Sequence, residues 1–290
     1  MKNKLCLLIF LVVQQFAFGQ NTILWKISDT INNKESYIVG TFHQFGSSFV
    51  DSIPEIKKVL LNAELAVFES IDHIDSTRKM IDRRKSSLEI EKRLKKKDFI
   101  KLKEIAKDWR VDLYKLKPLE ISWKLQQEFQ KIKCRTTQPT DKFKHFDNYL
   151  IYTAKKHKIE IYGLETDSLQ LALIDEENKS PNWRKERKNI RYWIKQMTSD
   201  KPNLNACRLA DKYRKFDIDY EFEKECESDI LLAQRNKEWM KILPDMLRKQ
   251  NIFIAVGYSH LKRKCGILEQ LKNMGFAVEQ VALKPVANIS

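Results

Sequence analysis

Residues 36–43 read SYIVGTFH, and residues 251–260 read NIFIAVGYSH. Each stretch is a short apolar run, rich in β-branched residues, that predicts a strand and ends in Gly-x-x-His. Glycine at each bend is expected to permit backbone angles that other residues resist. Because side chains at strand ends are presented to ligands, two such strands paired in one sheet would bring His43 and His260 together.

Each motif opens a larger unit with the order strand, loop, helix, strand. After His43, the residues from Pro54 place apolar side chains at helical spacing, and the apolar run Leu65–Phe68 follows. After His260, a helical stretch closes at Gly275, and FAVEQVAL is the last predicted strand. Two matching units therefore bracket the chain, as a repeat of pattern rather than of residue identity.

The rest of the chain predicts a single α+β domain. Further strands are expected over residues 22–27 and 159–162, while most of residues 76–250 has helical periodicity broken by prolines. No low-complexity stretch or Gly/Ser linker marks off a second domain. We therefore expect residues 20–290 to form one domain, with a central mixed β-sheet built from the N- and C-terminal units and a large helical insertion over about 76–250.

The first residues have the composition of a cleavable secretory signal. Two lysines precede an apolar run over residues 5–13, and Ala17-Phe18-Gly19 supplies the small residues of a cleavage site. The run is much shorter than the roughly 20 apolar residues of a membrane-spanning helix. Residues 1–19 are therefore predicted to be a signal peptide, which implies export to the periplasm or outside the cell and no integral membrane segment after cleavage.

The chain is strongly basic, with a formal net charge of +15 over 290 residues. Its lysines and arginines are mostly interspersed with acidic residues in helical stretches, and no aromatic–basic motif that would stack on bases accompanies them. This pattern indicates a solvated basic surface and not a nucleic-acid interface.

Four cysteines follow the predicted signal: Cys134, Cys207, Cys226 and Cys265. An oxidising compartment would permit disulfides, and four cysteines allow three complete pairings. The absence of any C-x-x-C disfavours zinc knuckles and thioredoxin-like sites. The sequence leaves the pairing open, as it does the oligomeric state.

Four polar side chains follow predicted strands and are candidates for one site: His43, His260, Glu69 and Glu165. Two histidines and a glutamate form a known ligand set for a catalytic divalent metal that keeps a position open for water. We therefore predict a metal site of His43, Glu69 and His260, with Glu165 as a further candidate of the same type. Such ligands suit Zn, Mn, Co or Fe, and the sequence does not distinguish these metals.

Beyond these residues, the chain resembles the TraB/GumN family, to which the Tiki-type metalloproteases are related. The resemblance rests on SYIVGTFH, AVFES, DNYLIYTAKKHKIEIYGLETDSLQ, QRNKEWMKIL and AVGYSHLKRKCGILEQLKNMGFAVEQV, which follow in this order over nearly the whole chain after the predicted signal. Each motif is weak alone, but five in order at compatible spacing are specific. Tyr258 stands where the family usually has a small residue, and charged residues after His260 replace a usual glycine.

The resemblance implies both the site residues and the reaction class. It marks His43, Glu69 and His260 as essential, and it implies an exported metal-dependent hydrolase, most often a peptidase, with a peptide or small ester as substrate. Arg235 belongs to the Arg-Asn pair of the family, where its guanidinium would hold a substrate carboxylate or an oxyanion, or pair with Glu165. Glu69, Glu165 and Arg235 are thus the expected catalytic residues.

Two other functions remain compatible with these residues. Non-enzymatic members of the family suggest a protein that binds a peptide or haem without chemistry, with Tyr258 as a haem ligand beside His260. The other is a metal-free esterase that uses His43 as its general base. Turnover that a chelator abolishes would separate metal-dependent hydrolysis from both.

The remaining histidines are expected to have no part in the site. His73 has Asp72 and Asp75 beside it, but neighbouring loop residues seldom converge on one metal. His145 and His157 lie in charged, helical surroundings and are predicted to be surface residues. The chain has no HExxH, G-x-S-x-G or glycine-rich phosphate loop, which disfavours standard zincins, serine hydrolases and nucleotide-binding enzymes.

Overall fold

The computed structural model of the chain describes residues 22–73, 75–227 and 230–284. The predicted signal peptide, residues 1–19, lies outside these ranges. Across the described ranges, none of the helices combines the length and the apolar character needed to span a bilayer.

One mixed sheet forms the centre of the described chain. Its six strands are β1 (Leu24–Asp29), β2 (Lys34–Thr41), β3 (Leu65–Phe68), β4 (Glu160–Gly163), β5 (Ile252–Gly257) and β6 (Ala277–Gln280). They lie in the order β4-β3-β5-β2-β1-β6. Strands β4, β3, β5 and β2 run parallel to one another, whereas β1 pairs antiparallel with β2 and β6. The predicted α+β fold with a mixed sheet is confirmed.

Most helices lie in the chain between β3 and β5, which confirms the predicted helical insertion. The α-helices are α1 (Ser47–Asp51), α2 (Pro54–Leu61), α3 (Ser76–Asp82), α4 (Glu89–Arg93), α5 (Lys96–Ala106), α6 (Pro118–Ile132), α7 (Phe146–Lys156), α8 (Asp167–Glu177), α9 (Trp183–Thr198), α10 (Arg208–Arg214), α11 (Ala233–Trp239), α12 (Leu243–Lys249) and α13 (Ile267–Asn273). Short 3₁₀ helices lie at Leu113–Lys115, Leu204–Cys207 and Tyr258–Leu261.

The burial of the strands follows their sequences. Every residue of β3 and of β5 is buried, as expected for apolar strands that are covered on both faces. The edge strands β4 and β6 contain only exposed or half-buried residues, and they carry charged side chains. The two central strands therefore form a rigid base for the loops that leave their carboxyl ends.

The two sequence units interlock in the sheet. Strand β5 of the second unit lies between β2 and β3 of the first, and it is parallel to both. The second unit then runs past β2 and β1 to place β6 at the far edge. The order of elements thus repeats, but the connections differ. The connection from β2 to β3 passes one strand, β5, whereas the connection from β5 to β6 passes two, β2 and β1. Register is also offset by one residue, since Gly40 pairs with Val256 and Thr41 with Gly257.

The buried apolar side chains form two clusters. The larger cluster packs on the sheet. The smaller lies within the helical insertion and consists of Ile90, Leu94, Phe99, Leu102, Leu113, Ile121, Leu125, Ile190 and Ile194. Trp193 of α9 packs against both clusters. The insertion therefore has a core of its own that is continuous with the core of the sheet.

The cysteines pair as Cys134–Cys207 and Cys226–Cys265. The Cα atoms of the two pairs are 5.3 and 5.9 Å apart, within the usual range for disulfides. The first bond joins the chain after α6 to the start of α10. The second holds the segment before α11 to the loop that follows the second Gly-x-x-His motif. One of the three possible pairings is thereby selected.

Candidate functional site

The carboxyl ends of β2, β5, β3 and β4 meet at one edge of the sheet because these strands are parallel. His43 lies two residues beyond β2, and His260 lies in the 3₁₀ helix that directly follows β5. Glu69 directly follows β3, and Glu165 lies two residues beyond β4. All four predicted residues therefore lie at the same edge.

Three of these side chains converge beside Gly257. A Cβ atom at this position would lie 3.2 Å from Oε1 of Glu69, 3.4 Å from Nε2 of His43 and 3.7 Å from Cδ2 of His260. The backbone N–H of Gly257 donates to Oε1 of Glu69 at 2.6 Å. Its φ of −53° and ψ of 133° are open to most residues. Glycine here leaves room for close packing, chiefly against Glu69, so the prediction of an unusual backbone angle is wrong.

The glycine of the first motif also serves close packing. A Cβ atom at Gly40 would lie 2.8 Å from Cδ1 of Leu261 and 3.0 Å from Cα of Tyr258. Among the described residues, the glycine with positive φ is Gly275, so Gly40 does not have a positive φ. The first glycine therefore makes room for the loop of the second motif, and Gly257 makes room for the side chains at the site.

Arg235 of α11 lies behind Glu69 and joins it to Glu165. Its Nη2 donates to Oε2 of Glu69 at 2.6 Å and to Oε1 of Glu165 at 2.5 Å. The guanidinium lies over the ring of Trp239, with Cζ of Arg235 4.8 Å from the ring centroid. Nε1 of Trp239 donates to Oε2 of Glu165 at 3.2 Å. The side chain of Glu165 is only 2% exposed. Arg235 thus pairs with Glu165, which is one of the partners predicted from the sequence. It also pairs with Glu69, which was not predicted as its partner.

His260 completes this buried network. Its side chain is 4% exposed, and its ring packs 4.4 Å from that of Trp239. Nε2 lies 3.2 Å from Nη1 of Arg235, and Nδ1 lies 2.7 Å from Oδ1 of Asn236. Burial lowers the pKa of His260 to about 3, an effect that Glu69 opposes and Arg235 reinforces. His260 is therefore neutral at physiological pH.

Glu69 is shared between the buried network and an open cleft. Its side chain is 12% exposed, and its Oε1 lies 3.8 Å from Nε2 of His260. Burial works to raise the pKa of Glu69, but the rings of His260 and His43, both protonated at the low pH where Glu69 titrates, and the guanidinium of Arg235 outweigh burial and lower the pKa to about 2. A carboxylate this acidic suits the holding of positive charge better than the uptake of a proton.

His43 faces the cleft side of the site. Its Nδ1 lies 2.6 Å from Oδ2 of Asp147, whose other oxygen accepts from Oγ1 of Thr41 at 2.9 Å. The side chain of His43 is 38% exposed. Burial works to lower the pKa of His43, but the Asp147 carboxylate outweighs it and raises the pKa to about 9. His43 is therefore protonated at neutral pH in this structure.

His145 and Asp147 lie against His43 at this candidate site, although neither was predicted from the sequence as a site residue. The ring of His145 stacks on that of His43 at a centroid distance of 5.1 Å, and its Nδ1 lies 3.6 Å from Oδ2 of Asp147. The N–H of Phe146 donates to the carbonyl of His43 at 3.1 Å, which fixes the start of α7 at the first motif. The side chain of His145 is 41% exposed, as predicted for a surface residue, but it lies beside His43 and not away from the site. Asp147 is the first residue of the motif DNYLIYTAKKHKIEIYGLET, and this position in a motif shared with the family could have marked it as a site residue.

The other two histidines lie outside the site. His157 is exposed at the end of α7, as predicted. His73 is also exposed, and its Nδ1 accepts from the N–H of Asp75 at 3.2 Å.

His43, His145 and Asp147 form a group that could hold a metal ion. One potential ligand atom of each lies within 4.8 Å of the others, and no second group of three in the described chain meets this geometry. Their nitrogen and oxygen donors fit the metals named above. The set predicted from sequence, His43, Glu69 and His260, is brought together beside Gly257, but Arg235 faces both Nε2 of His260 and Oε2 of Glu69.

A cleft of about 360 Å³ opens in front of this group. Its lining includes His43, Glu69, His145, Asp147, Asp72 and Asp167, and no lysine or arginine is among the described residues that line it. Asp167 accepts from the hydroxyls of Ser70 and Thr77, and Asp72 accepts from the N–H of Asp167. The cleft is therefore acidic in a chain that is strongly basic.

The five motifs, the strand-edge site and the family comparison agree. Residues 23–280 match the model of the TraB/PrgY/gumN family. The chain matches none of the curated proteins and none of the solved structures with which it was compared. Since the family match spans the whole sheet and the helical insertion, the chain belongs to the TraB/PrgY/gumN family.

Proposed function

We propose that this protein is a metal-dependent hydrolase that cleaves peptide or ester bonds. The observation that carries the proposal is the group His43, His145 and Asp147, whose ligand atoms lie within 4.8 Å of one another beside the cleft. Nitrogen and carboxylate donors at an open cleft are typical of catalytic sites that hold Zn, Mn, Co or Fe. Membership in the TraB/PrgY/gumN family is consistent with this proposal.

Exposure and partners favour one of the two ligand sets. His43 and His145 have side chains that are 38% and 41% exposed, so a cation from solvent can approach them through the cleft. His260 is 4% exposed and its Nε2 faces Arg235, so a cation there would require the guanidinium to move. We therefore propose His43, His145 and Asp147 as ligands. The set His43, Glu69 and His260 is the second candidate, favoured by its convergence beside Gly257.

A bound divalent cation supplies Lewis-acid activation of water and of a carbonyl group. The chain supplies the rest. Ligation by His43 requires its neutral form, so one of the two ring protons of the imidazolium has to leave. Glu69 stays ionised at the border of the cleft and stabilises positive charge there. Arg235 and Gly257 donate to the two oxygens of Glu69 and thereby hold its orientation.

The charges of the cleft favour a positively charged substrate. Asp72 and Asp167 accept only from hydroxyl and backbone donors in the described contacts, so neither charge is neutralised by a neighbouring cation. A peptide with a basic side chain near the scissile bond would complement them. Haem carries two carboxylates, so it would not complement these negative charges. Tyr258, the haem ligand considered from sequence, packs against Phe42 and does not line the cleft.

The metal-free esterase is the other reaction that a specific contact favours, namely the 2.6 Å contact between His43 and Asp147. A carboxylate–histidine pair is a common general base. However, although burial opposes it, Asp147 raises the pKa of His43 to about 9, which leaves the ring protonated at neutral pH. Such an enzyme would gain activity as the pH rises towards 9. Metal-dependent hydrolysis remains the better account at neutral pH.

Export is part of the same proposal. Disulfides form and persist in oxidising compartments, so Cys134–Cys207 and Cys226–Cys265 support an exported protein. N-terminal sequencing of protein recovered outside the cytoplasm tests this, with Gln20 as the expected first residue after cleavage of the predicted signal.

Elemental analysis together with turnover tests the function. Purified protein is expected to contain about one equivalent of Zn, Mn, Co or Fe and to cleave members of a peptide library read by mass spectrometry. A chelator should abolish cleavage, and the metal should restore it. His43→Ala should lose both metal and cleavage, whereas His157→Ala, which alters an exposed histidine outside the site, should lose neither. Equal metal content and equal cleavage in wild type and His43→Ala would overturn the proposal.

A further inference from the structure

Asn236 lies against His260 with only 1% of its surface exposed. Its Oδ1 lies 2.7 Å from Nδ1 of the histidine ring. Its Nδ2 donates to the backbone carbonyl of His260 at 3.0 Å and to that of Cys265 at 2.9 Å. One side chain therefore contacts the ring, the backbone of the same histidine and the loop that follows it.

These contacts fix the orientation of the Asn236 amide. Backbone carbonyls accept hydrogen bonds and do not donate them, so the two carbonyls hold the NH₂ group and leave Oδ1 for the ring. An acceptor that faces Nδ1 of His260 requires Nδ1 to carry the proton. In a neutral imidazole Nε2 then keeps its lone pair, and here it faces Nη1 of Arg235 at 3.2 Å.

We propose that Asn236 is a positioning residue that holds His260 in the Nδ1–H tautomer, so that Nε2 presents a lone pair to Arg235. The opposite tautomer would set an N–H of His260 against a guanidinium N–H, and a guanidinium has no acceptor. The tautomer is thus coupled to the position of Arg235 and, through it, to Glu69. Its use in catalysis rests on the proposed function, whereas the tautomer itself does not.

The Cys226–Cys265 disulfide supports this arrangement. It holds Cys265, whose carbonyl accepts from Asn236 and also from Nε2 of Gln270 at 2.7 Å. Without the bond, the loop after His260 would lose its covalent connection to the segment before α11. One of the two carbonyls that orient the Asn236 amide would then be free to move. The disulfide is therefore expected to favour the same tautomer.

The tautomer is measurable in metal-free, substrate-free protein. In a long-range ¹H–¹⁵N spectrum of the full chain at neutral pH, we expect Nδ1 of His260 to show the shift of a protonated nitrogen and Nε2 that of an unprotonated one. The excess of this form should be roughly tenfold or more, the factor that one buried hydrogen bond supplies. The signals are assigned by their loss in His260→Gln. A wild-type spectrum in which Nε2 carries the proton overturns the proposal without any further variant.

Variants separate positioning from general packing. Asn236→Leu keeps the volume but removes the amide, so the tautomer excess should fall at least severalfold. The Cys226→Ser/Cys265→Ser double variant should reduce it less, and the matched Cys134→Ser/Cys207→Ser double variant should leave it unchanged. An unchanged excess in folded Asn236→Leu overturns the proposal. Since no metal or substrate is present, neither outcome bears on whether the protein is a hydrolase.

Discussion

The two Gly-x-x-His loops share a pattern and a sheet edge, but their histidines lie in opposite surroundings. The side chain of His43 is 38% exposed and bonds to the carboxylate of Asp147, whereas that of His260 is 4% exposed and bonds to the amide of Asn236. Against the effect of burial, Asp147 raises the pKa of His43 to about 9, while burial lowers the pKa of His260 to about 3. The motif sets the position of each histidine, and its partner sets the protonation state.

Both partners come from the helical insertion. Asp147 is the second residue of α7, and Asn236 lies in α11. The insertion therefore completes the site in addition to covering the sheet. We infer a division of roles from this difference: His43 holds a cation at the cleft, and His260 holds Arg235 and, through it, Glu69 in place.

The largest effect is expected from Arg235→Met, which removes the cation between the two sides of the site. It leaves Glu165, 2% exposed, and Glu69, 12% exposed, without their charged partner. Breaking a buried pair in this way should lower the free energy of unfolding by about 3–5 kcal/mol. Urea unfolding measures this loss. Arg93→Met, which breaks an exposed pair with Glu89, is the control and should cost about 0.5 kcal/mol; similar small losses in both variants would contradict the buried network.

Asp147→Asn should make the electrostatics of His43 resemble those of His260. With the carboxylate gone, burial is opposed only by the more distant charge of Glu69, so the pKa of His43 should fall from about 9 to its ordinary value of 6.5 or below. An NMR titration of the His43 ring measures this change. Asp245→Asn, which alters an exposed carboxylate of α12, is the control and should leave the pKa of His43 unaltered. A pKa that stays near 9 in Asp147→Asn would show that another group holds the proton.

The pH dependence of stability should differ in sign between the two loops. The pKa of His43 is raised, so its pairing with Asp147 stabilises fully below pH 6.5 and is lost as the pH rises through about 9. The pKa of His260 is lowered, so its neutral form stabilises above pH 6.5, and this contribution is lost as the pH falls towards 3. Urea midpoints measured across this range should lose part of their alkaline decline in His43→Gln and part of their acid decline in His260→Gln. Identical pH profiles in wild type and both variants would refute these assignments.

The smallest effect concerns the charge of the cleft. Asp72→Asn keeps an oxygen that accepts from the N–H of Asp167 but removes one carboxylate. The preference for a lysine-containing peptide over its norleucine counterpart should fall by a few-fold, since partly exposed charge pairs are worth about 0.2–1 kcal/mol. Binding titrations at low and high salt measure this preference. A preference that is equal in Asp72→Asn and wild type would show that Asp72 does not select substrate charge.

The sequence predicts the sheet edge well because its signals are local. Apolar runs that stop at His43, Glu69 and His260 identify strand ends, and parallel strands place such ends together. The convergence of these side chains follows from that pattern alone. Their roles as ligands or catalytic groups remain predictions, since they depend on a bound metal and on substrate.

The missing residues depend on contacts that no local pattern records. His145 reaches the site because the N–H of Phe146 donates to the carbonyl of His43, a contact across 103 positions of sequence. Asp147 then faces His43, although its carboxylate reads from sequence as an ordinary helix-start residue. The reason for a glycine at position 257 was likewise not predictable, because the side chains that pack beside it come from three separate strand ends.

Metal affinity of single variants tests the division of roles most directly. Co²⁺ titrations of wild type, His43→Ala, His145→Ala and His260→Ala should show losses of more than roughly a hundredfold for His43→Ala and His145→Ala. His260→Ala should cost roughly tenfold, at the low end of what is expected of a residue that orients the site without contacting the metal. If His260→Ala instead loses as much affinity as His43→Ala while His145→Ala binds like wild type, the cation lies between the two Gly-x-x-His loops and the proposed division is wrong.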